Sequence, residues 1–412
     1  MTSFYNLVSG IKRHQIFFFL LVAFMLSYPV TYNLNSQVLI GILIFFFIDK
    51  KANIINKLKT VRRNKIIFVF LIYFSVQIIG LIYTQDMKRG IDILTRLLPF
   101  LFLPTIVISE KLSSKNIDRL LQIMTFWILV VMIYLSLYQI FVEKREIGTM
   151  VHFAFEKLQI SQHYISIILV LSIMFSLHKA VQKEKVFAYS GTLIALVFFL
   201  LQFSSRSSIV ILVFSLAIYF LKSFKYKSST FKMACFSAFF LLALAAFFSS
   251  PELQKKTNIF ISTTDFDIDI IKTKHSTTFV RNTIEQRVII NIASLAIIRE
   301  NPLIGVGTGD YLNVLLSKYD DFDFIAGKKE RFNAHNQYLE DYIKVGIFGF
   351  LALILLVFTI LKQANKNKSF MLYCAFAVAF MFFFESFLDR HHGTVFTAFF
   401  IPFFYKYEAY MA

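Results

Sequence analysis

The sequence predicts an all-α, polytopic membrane protein with about 12 transmembrane helices and one large, partly helical external loop between helices 9 and 10. Hydrophobic residues make up 57% of the 412 residues and charged residues only 17%, and 52 residues are phenylalanine. A water-soluble fold cannot bury so much apolar side chain, and low charge with abundant aromatic residues excludes a disordered chain. The apolar residues also fall into separate runs that can span a bilayer.

The apolar runs place the membrane helices in order along the chain. Their lengths fit a bilayer if some helices are short or tilted. The predicted spans are roughly 15–31, 36–48, 66–83, 91–109, 121–142, 164–178, 186–202, 208–223, 232–249, 345–361, 369–386 and 394–405. One long and much more polar segment separates the ninth span from the tenth, and the other connections are short.

Basic residues in alternate connections predict the orientation of these spans. Four connections on the same side are rich in lysine and arginine: 50–65, 179–185, 222–232 and 362–368. The positive-inside rule places them and both termini in the cytoplasm. The predicted organisation is residues 1–249 with transmembrane helices 1–9, residues 250–344 as an external loop, and residues 345–412 with helices 10–12. The loop is periplasmic if the cell has an outer membrane, and a loop of this size is where active-site residues are expected.

The same charges explain the formal net charge of +18 without a nucleic-acid partner. The sequence contains no nucleotide-binding lysine motif, and its cytoplasmic connections are too short for a nucleotide-binding domain. This excludes an ATP-driven pump within this chain. Cys235 and Cys374 each lie in an apolar run and predict neither a disulfide framework nor a metal site.

Two polar motifs adjoin the external side of the predicted bundle. Ser205-Arg206-Ser207 separates the seventh and eighth spans. Two interpretations stay open for its arginine: a side chain that reaches the interface from a helix end, and an anion site at the membrane surface. The second motif, 303–311, contains three alternating glycines after Asn301-Pro302. A dinucleotide-binding site is excluded because Asp310 replaces the third required glycine, so we expect a turn whose backbone can approach a ligand.

Residues 283–299 predict an amphipathic helix that ends at Asn301-Pro302. The helix is expected to present an apolar stripe on one face and polar side chains on another. The apolar stripe would comprise Ile284, Val288, Ile292 and Leu295, and the polar face Thr283, Arg287, Asn291 and Ser294.

The stretch 332–340, Phe-Asn-Ala-His-Asn-Gln-Tyr-Leu-Glu, predicts a helix that continues into the tenth span. Asn333 is the expected N-cap, which places His335 in the first helical turn. There the helix dipole would keep the imidazole neutral, as a general base requires. Tyr338, Leu339 and Tyr342 are expected on the same face. The alternative is a histidine that merely lines the start of a helix.

The last external connection contains several polar residues: Glu385, Asp389, Arg390, His391 and His392. Adjacent histidines point in different directions on a helix, so a metal site is the less favoured interpretation. Glu385 and Arg390 are expected to form a partly buried ion pair or to belong to a polar pocket. His163 is open to a structural or a functional role, and Arg96, inside the fourth span, has no evident partner in the sequence.

In their order and placement, these motifs resemble those of the bacterial O-antigen ligase and O-antigen polymerase superfamily. The resemblance is strong across roughly 200–360 and mainly architectural before that. It is carried by Ser205-Arg206, Arg287, the stretch from Asn301 to Gly307, Ala334-His335-Asn336-Gln337-Tyr338-Leu339, and Gly346-Ile347-Phe348-Gly349.

The resemblance implies a metal-independent glycosyltransferase of the bacterial inner membrane that uses no cofactor. Its donor would be a glycan linked to undecaprenyl diphosphate, and its acceptor a sugar of the lipid A core or another lipid-linked glycan. Arg206 and Arg287 would bind the donor diphosphate, and His335 would act on the acceptor hydroxyl. Arg281 and Arg299 compete with Arg287 for this role. The supporting positions are His163, Arg281, Asn336, Tyr338 and Arg390.

The chemistry of the residues agrees with these roles. Guanidinium groups stabilise the charge that develops on a leaving phosphate, and a base on the opposite face of the sugar implies inversion. The leading hypothesis is therefore an O-antigen ligase, with a polymerase of lipid-linked repeat units as the nearest alternative. A lipid-linked oligosaccharide transporter or flippase would carry charges deep within several spans. Here the polar residues gather at one face instead.

Overall fold

The computed structural model describes residues 13–144, 160–202, 206–223, 254, 257–258, 261–364 and 369–411. Within these ranges every regular element is helical, which confirms the all-α class for the described residues. The ninth predicted span, 232–249, lies outside them, as do Ser205 and Cys235.

The helices follow the predicted spans closely, with shifts of a few residues at their ends. In chain order they are α1 (Arg13–Ser27), α2 (Tyr32–Phe47), α3 (Lys51–Arg63), α4 (Lys65–Ile79), α5 (Met87–Ser109), α6 (Ser114–Phe141), α7 (Gln162–Val181), α8 (Val186–Gln202), α9 (Arg206–Ser223), α10 (Ile268–Thr277), α11 (Thr283–Glu300), α12 (Tyr311–Asp321), α13 (Ile325–Glu330), α14 (Gln337–Ala364), α15 (Ser369–Met381) and α16 (His391–Met411), with a 3₁₀ turn at Phe387–Asp389 before the last.

Four of the described helices, α5, α6, α7 and α14, are long and apolar enough to cross a membrane by length and composition. Shorter apolar helices make up much of the remaining bundle, so the protein is a membrane protein, while the count of 12 spans stays a prediction. Helix α3 was not predicted. It lies in the basic connection after the second span, and Asn64 separates it from α4 by accepting hydrogen bonds from the backbone N–H groups of Ile66 (2.9 Å) and Ile67 (3.4 Å).

The bundle has two distinct ends. The segment 261–336 contacts the end where α4 finishes and α5 and α14 begin, for example through the bond from Thr308 N to Gly80 O (3.1 Å). We call this the loop end and the opposite one the basic end. Helix α14 packs against α4, α11 and α15, so the element that follows the 332–336 motif lies in the middle of the fold.

Helix α14 bends sharply at Val345 and Gly346, and the glycine-containing stretch 302–307 closes the bend. Two carbonyls of the helix, those of Ile343 and Lys344, accept instead from Val306 N (2.8 Å) and Gly307 N (2.9 Å). These bonds satisfy backbone groups that a straight helix would pair internally. The backbone of this turn packs against helix α14, while its approach to a ligand stays a prediction.

Replacing Gly346 by alanine is expected to lower the thermal stability of the protein. Gly346 adopts φ +62° and ψ −150°, a conformation that is largely restricted to glycine and costs other residues about 1–3 kcal/mol. An added Cβ would also lie 2.6 Å from Ile304 N. The midpoint of thermal unfolding in detergent measures the effect.

The matched control is Gly191→Ala. Gly191 lies in helix α8, where an added Cβ has no heavy atom within 4 Å, and alanine favours a helix over glycine by about 1 kcal/mol. We expect an unchanged or slightly higher midpoint for this control. Equal midpoints for Gly346→Ala and the wild type would contradict the strained bend.

Candidate active site

His335 lies in a turn just before α14 and not in its first helical turn, so the predicted helix start is wrong. Its φ of +44° is left-handed, and the Asn333 side chain accepts a hydrogen bond from His335 N (3.2 Å). The capping side chain is Asn336, whose Oδ1 accepts from Tyr338 N (3.0 Å) and Leu339 N (3.2 Å). The prediction that His335 shares a helix face with Tyr338 and Leu339 is therefore also wrong, because His335 is not part of the helix.

A carboxylate from a distant part of the chain orients the His335 ring. His335 Nδ1 lies 3.2 Å from Glu385 Oε2, in the connection between α15 and α16. An ionised carboxylate only accepts hydrogen bonds, so it selects the tautomer with a proton on Nδ1. Nε2 then carries the lone pair that can accept a proton from a substrate hydroxyl. The side chain is 28% exposed, which leaves room for a substrate.

Glu385 gathers three side chains from separate elements. Besides His335, its carboxylate contacts His163 Nε2 (3.1 Å) at the start of α7 and Arg287 Nη2 (3.2 Å) on α11. Burial by itself would raise the pKa of Glu385, but His163 and His335 outweigh it and hold that pKa well below its ordinary value. The pair expected between Glu385 and Arg390 is not formed within the described residues, where Arg390 is exposed.

Helix α11 has the predicted bounds to within a residue, but it is rotated relative to the predicted stripe. Leu295 is 45% exposed, and the buried face carries polar as well as apolar side chains. Its buried residues are Glu285, Gln286, Ile289, Ile290, Ala293, Ser294 and Ile297. The polar ones have hydrogen-bond partners, as in the bond from Gln286 Nε2 to Val280 O (2.7 Å), which lies before the helix.

This rotation directs Arg287 toward the site. Its side chain is 31% exposed, and within the described residues the guanidinium is hydrogen-bonded only through Nη2, to Glu385. An arginine has five N–H donors, so most of them remain available to a ligand. Arg281 is exposed, with its guanidinium 5.8 Å from the Phe279 ring centre, and Arg299 is exposed about 18 Å farther along α11. Of the three competing arginines, Arg287 is the one beside His335.

A buried polar cluster fixes the start of α11 and thereby the position of Arg287. Glu285 contacts His275 Nε2 (2.9 Å) and Lys274 Nζ (3.0 Å), and it accepts from Asp265 N (2.8 Å). The side chains of His275 and Glu285 are 1% and 0% exposed. His275 Nδ1 is buried without a hydrogen-bond partner among the described residues, so a proton there would be unpaired.

We expect α10 and α11 to lose stability as the pH falls from about 7 to about 5. Burial lowers the pKa of His275, more than its contact with Glu285 raises it. An unfolded histidine, with a pKa of about 6.5, takes up a proton at a higher pH than His275 does in the folded protein. The unfolded state is therefore favoured as the pH falls, and the stability of α10 and α11 decreases. Hydrogen–deuterium exchange of residues 268–300, corrected for intrinsic rates, should increase relative to that of α6. A His275→Gln variant with the same pH dependence as the wild type would contradict this.

The structure places the start of α9 close to His163. The backbone of Arg206 begins this helix, while its side chain lies outside the described part. Two residues on, Ser208 Oγ lies 2.5 Å from Ser166 Oγ, and Ser166 Oγ in turn donates to His163 O (3.1 Å). Position 206 thus adjoins the helix start that carries one of the partners of Glu385.

Two of the remaining supporting positions have structural contacts. Tyr338 is buried, its hydroxyl donates to Ala379 O (3.1 Å), and its ring lies 4.5 Å from that of Phe383. Asn336 is the cap described above. These contacts are structural, and a supporting role of either side chain in the reaction stays a prediction.

Arg96 has a partner that the sequence did not indicate. Its Nη1 donates to Asp389 O (2.7 Å) and lies 3.7 Å from Asp389 Oδ1, which ties α5 to the turn after Glu385. Asp389 also accepts from the Tyr311 hydroxyl (3.1 Å). Arg96 and Asp389 are 293 positions apart in the sequence, which explains why the pair was missed.

The two adjacent histidines contact different groups. His391 Nε2 lies 3.2 Å from Asn35 Oδ1, and the His392 ring packs 5.5 Å from that of Tyr28 and 5.7 Å from that of Tyr164. Among the described residues, no three His, Cys, Asp or Glu side chains are arranged to hold a metal ion.

The comparisons with known proteins concern the family of the chain and not the roles of single residues. The family model described as O-Antigen ligase matches residues 190–354, which include positions 206, 287 and 335. A relative from Haemophilus influenzae, described as an uncharacterized protein, is 27% identical over 396 residues, covering 89% of this chain and 91% of the relative. The segment that carries the arginine, glycine and histidine motifs therefore matches the O-Antigen ligase family model, which supports the O-antigen ligase and polymerase superfamily.

Proposed function

We propose that the protein is an O-antigen ligase of the bacterial inner membrane. It would transfer a glycan from undecaprenyl diphosphate to a sugar hydroxyl of the lipid A core, with inversion and without a metal ion. The observation that carries the proposal is the meeting of His335 and Arg287 on Glu385, at one end of an apolar helix bundle. In this proposal the loop end is periplasmic and both termini are cytoplasmic.

The proposed reaction needs a base for the acceptor hydroxyl and an anion site for the leaving phosphate, and different residues supply them. His335 Nε2 accepts the proton of the acceptor hydroxyl, while the oxygen of that hydroxyl forms a bond to the anomeric carbon of the donor glycan. The bond from that carbon to the phosphate oxygen breaks, and the electron pair leaves with undecaprenyl diphosphate. Arg287, together with Arg206, stabilises the growing phosphate charge through fixed guanidinium donors.

Glu385 would act as a positioning residue for both halves of the site. Without substrate its carboxylate occupies the anion position beside Arg287 (3.2 Å). A donor diphosphate carries more charge and several acceptor oxygens, so it would displace Glu385 from Arg287. The carboxylate keeps His163 and His335 as partners and continues to orient the base.

The nearest alternative, a polymerase that joins lipid-linked repeat units, would use the same groups with another acceptor. A transporter or flippase is less favoured, because the buried charges in α14 bond to neighbouring side chains. Lys344 Nζ lies 2.5 Å from Glu340 Oε1, and Asp341 accepts from the Tyr73 hydroxyl (2.8 Å). All three charged side chains are also buried, so they line no open aqueous path in this structure.

The lipopolysaccharide banding pattern of a deletion strain tests the proposal. The strain would be complemented with the wild type or His335→Ala at equal membrane levels. Loss of polymer ladders from lipid A, with long glycan left on undecaprenyl diphosphate, would support a ligase. Loss of long chains with one repeat still attached would identify a polymerase. An unchanged pattern with His335→Ala would overturn the catalytic role.

A further inference from the structure

A shallow, open groove lies between helices α1 and α6 on the outside of the bundle, away from His335 and Arg287. The groove has a volume of about 490 Å³. Phe18 and Leu26 from α1 and Ile123, Phe126 and Val130 from α6 form its apolar part. Trp127 also lines it, and its Nε1 donates to Leu26 O (2.8 Å), which holds the two helices together at one end.

The other end of the groove is basic. Arg119 lines it, and Lys115 precedes Arg119 by one turn on the same face of α6. Both side chains are exposed, and α6 has no acidic residue in its first turn. Lys115 lies in the first turn of α6, where the helix dipole opposes a cation, and Arg119 follows one turn later, so a carboxylate partner would stabilise both.

The nearby carboxylate does not provide that partner. Asp118 lies 2.9 Å from Lys179 Nζ and accepts from Gln122 Nε2 (2.9 Å), so it is already paired. Within the described residues, Arg119 forms no ion pair with another side chain. One face of α6 therefore begins with the basic residues Lys115 and Arg119. It continues as an apolar stripe formed by Ile123, Phe126 and Val130.

The length of this stripe matches one leaflet of a bilayer. Arg119 to Val130 spans 11 helical steps, about 16 Å at about 1.5 Å per residue. Half of the hydrocarbon core is about 15 Å. On α1 the pair Phe18 and Leu26 repeats the eight-residue spacing of Arg119 and Trp127, so the groove runs along both helices.

We propose that this groove binds one anionic phospholipid from the leaflet at the basic end, with its phosphate at Arg119 and an acyl chain against Ile123, Phe126 and Val130. Charge complementarity selects the anionic headgroup, and the apolar length selects a membrane lipid over a free anion. The site is separate from the donor site, because Arg119 and Glu385 lie at opposite ends of the bundle.

Native mass spectrometry of the purified full-length protein tests this, with added phosphatidylglycerol or phosphatidylcholine as the probe. We expect the wild type to bind the first phosphatidylglycerol about fivefold more tightly than phosphatidylcholine, the contribution of one basic residue near an anionic surface. Arg119→Gln should abolish this preference, and Arg119→Lys should keep most of it. Lys59→Gln, at an exposed residue of α3 outside the groove, is the matched control and should bind like the wild type.

A second variant separates the groove from the charge. Val130→Trp fills the apolar part and should weaken the binding of both lipids without changing the charge. Three results would overturn the proposal. They are an unchanged preference in Arg119→Gln, an equal loss in Lys59→Gln, or preferential binding of a polyprenyl diphosphate over phosphatidylglycerol at this site.

Discussion

Replacing His335 by glutamine is expected to lower the rate of glycan transfer by about 10²–10⁴-fold, the usual contribution of a general base. Glutamine can still donate a hydrogen bond to Glu385, but it has no nitrogen that can take a proton from the acceptor hydroxyl. The loss should therefore appear in kcat rather than in the KM for the donor. Transfer from a lipid-linked donor to purified lipid A core, by protein in detergent, measures both constants.

His14→Gln is the matched control for this prediction. His14 is exposed near the start of α1, at the basic end of the bundle and far from Glu385. The same exchange there should leave both constants unchanged. If His335→Gln retained the thermal midpoint of the wild type and transferred glycan within threefold of its rate, His335 would not be the base.

Replacing Arg287 by alanine is expected to reduce transfer by about 10²–10³-fold, comparable to the removal of one donor that stabilises a developing anion. Arg287→Lys should recover little of this loss, because a lysine keeps the charge but not the planar fork that matches phosphate oxygens. Alanine also leaves Glu385 with one partner fewer. The rates of the two variants with a lipid-linked donor test the prediction.

The control is the same pair of exchanges at Arg299, which is exposed on the same helix about 18 Å away. Arg299→Ala and Arg299→Lys should behave like the wild type. Equal losses at both positions would point to a general effect of charge on this surface. A normal rate with Arg287→Lys would contradict a role for guanidinium geometry.

Features that depend on neighbouring residues along the chain could be predicted from the sequence. Apolar runs marked the helices because the bilayer requires about 20 apolar residues per span. The bounds of α11 were also predicted to within a residue, because Asn301-Pro302 ends the helix locally. The motifs around Arg206, Arg287 and His335 could be found for the same reason, because each is a short run of neighbouring residues.

Predictions from neighbouring residues were wrong where the N-cap or the buried face of a helix depends on tertiary packing. Asn333 and Asn336 are both good caps, and Asn336 is used because the turn before it is held in a left-handed conformation at His335. The face of α11 was misassigned because Glu285 and Gln286 are buried with partners from other segments. Periodicity treats such residues as exposed, although a satisfied polar group can lie in a core.

The helical membrane class, the approximate spans and the residue types of the site could be predicted from the amino-acid order alone, because hydrophobicity and short motifs are properties of neighbouring residues. Which charges meet depends on how the helices pack. Glu385 joins His163, Arg287 and His335 from three distant segments, and Asp389 pairs with Arg96 across 293 residues. The attraction between two charges depends on their distance in space. That distance is set by the packing of the helices and cannot be read from the separation of the residues in the sequence.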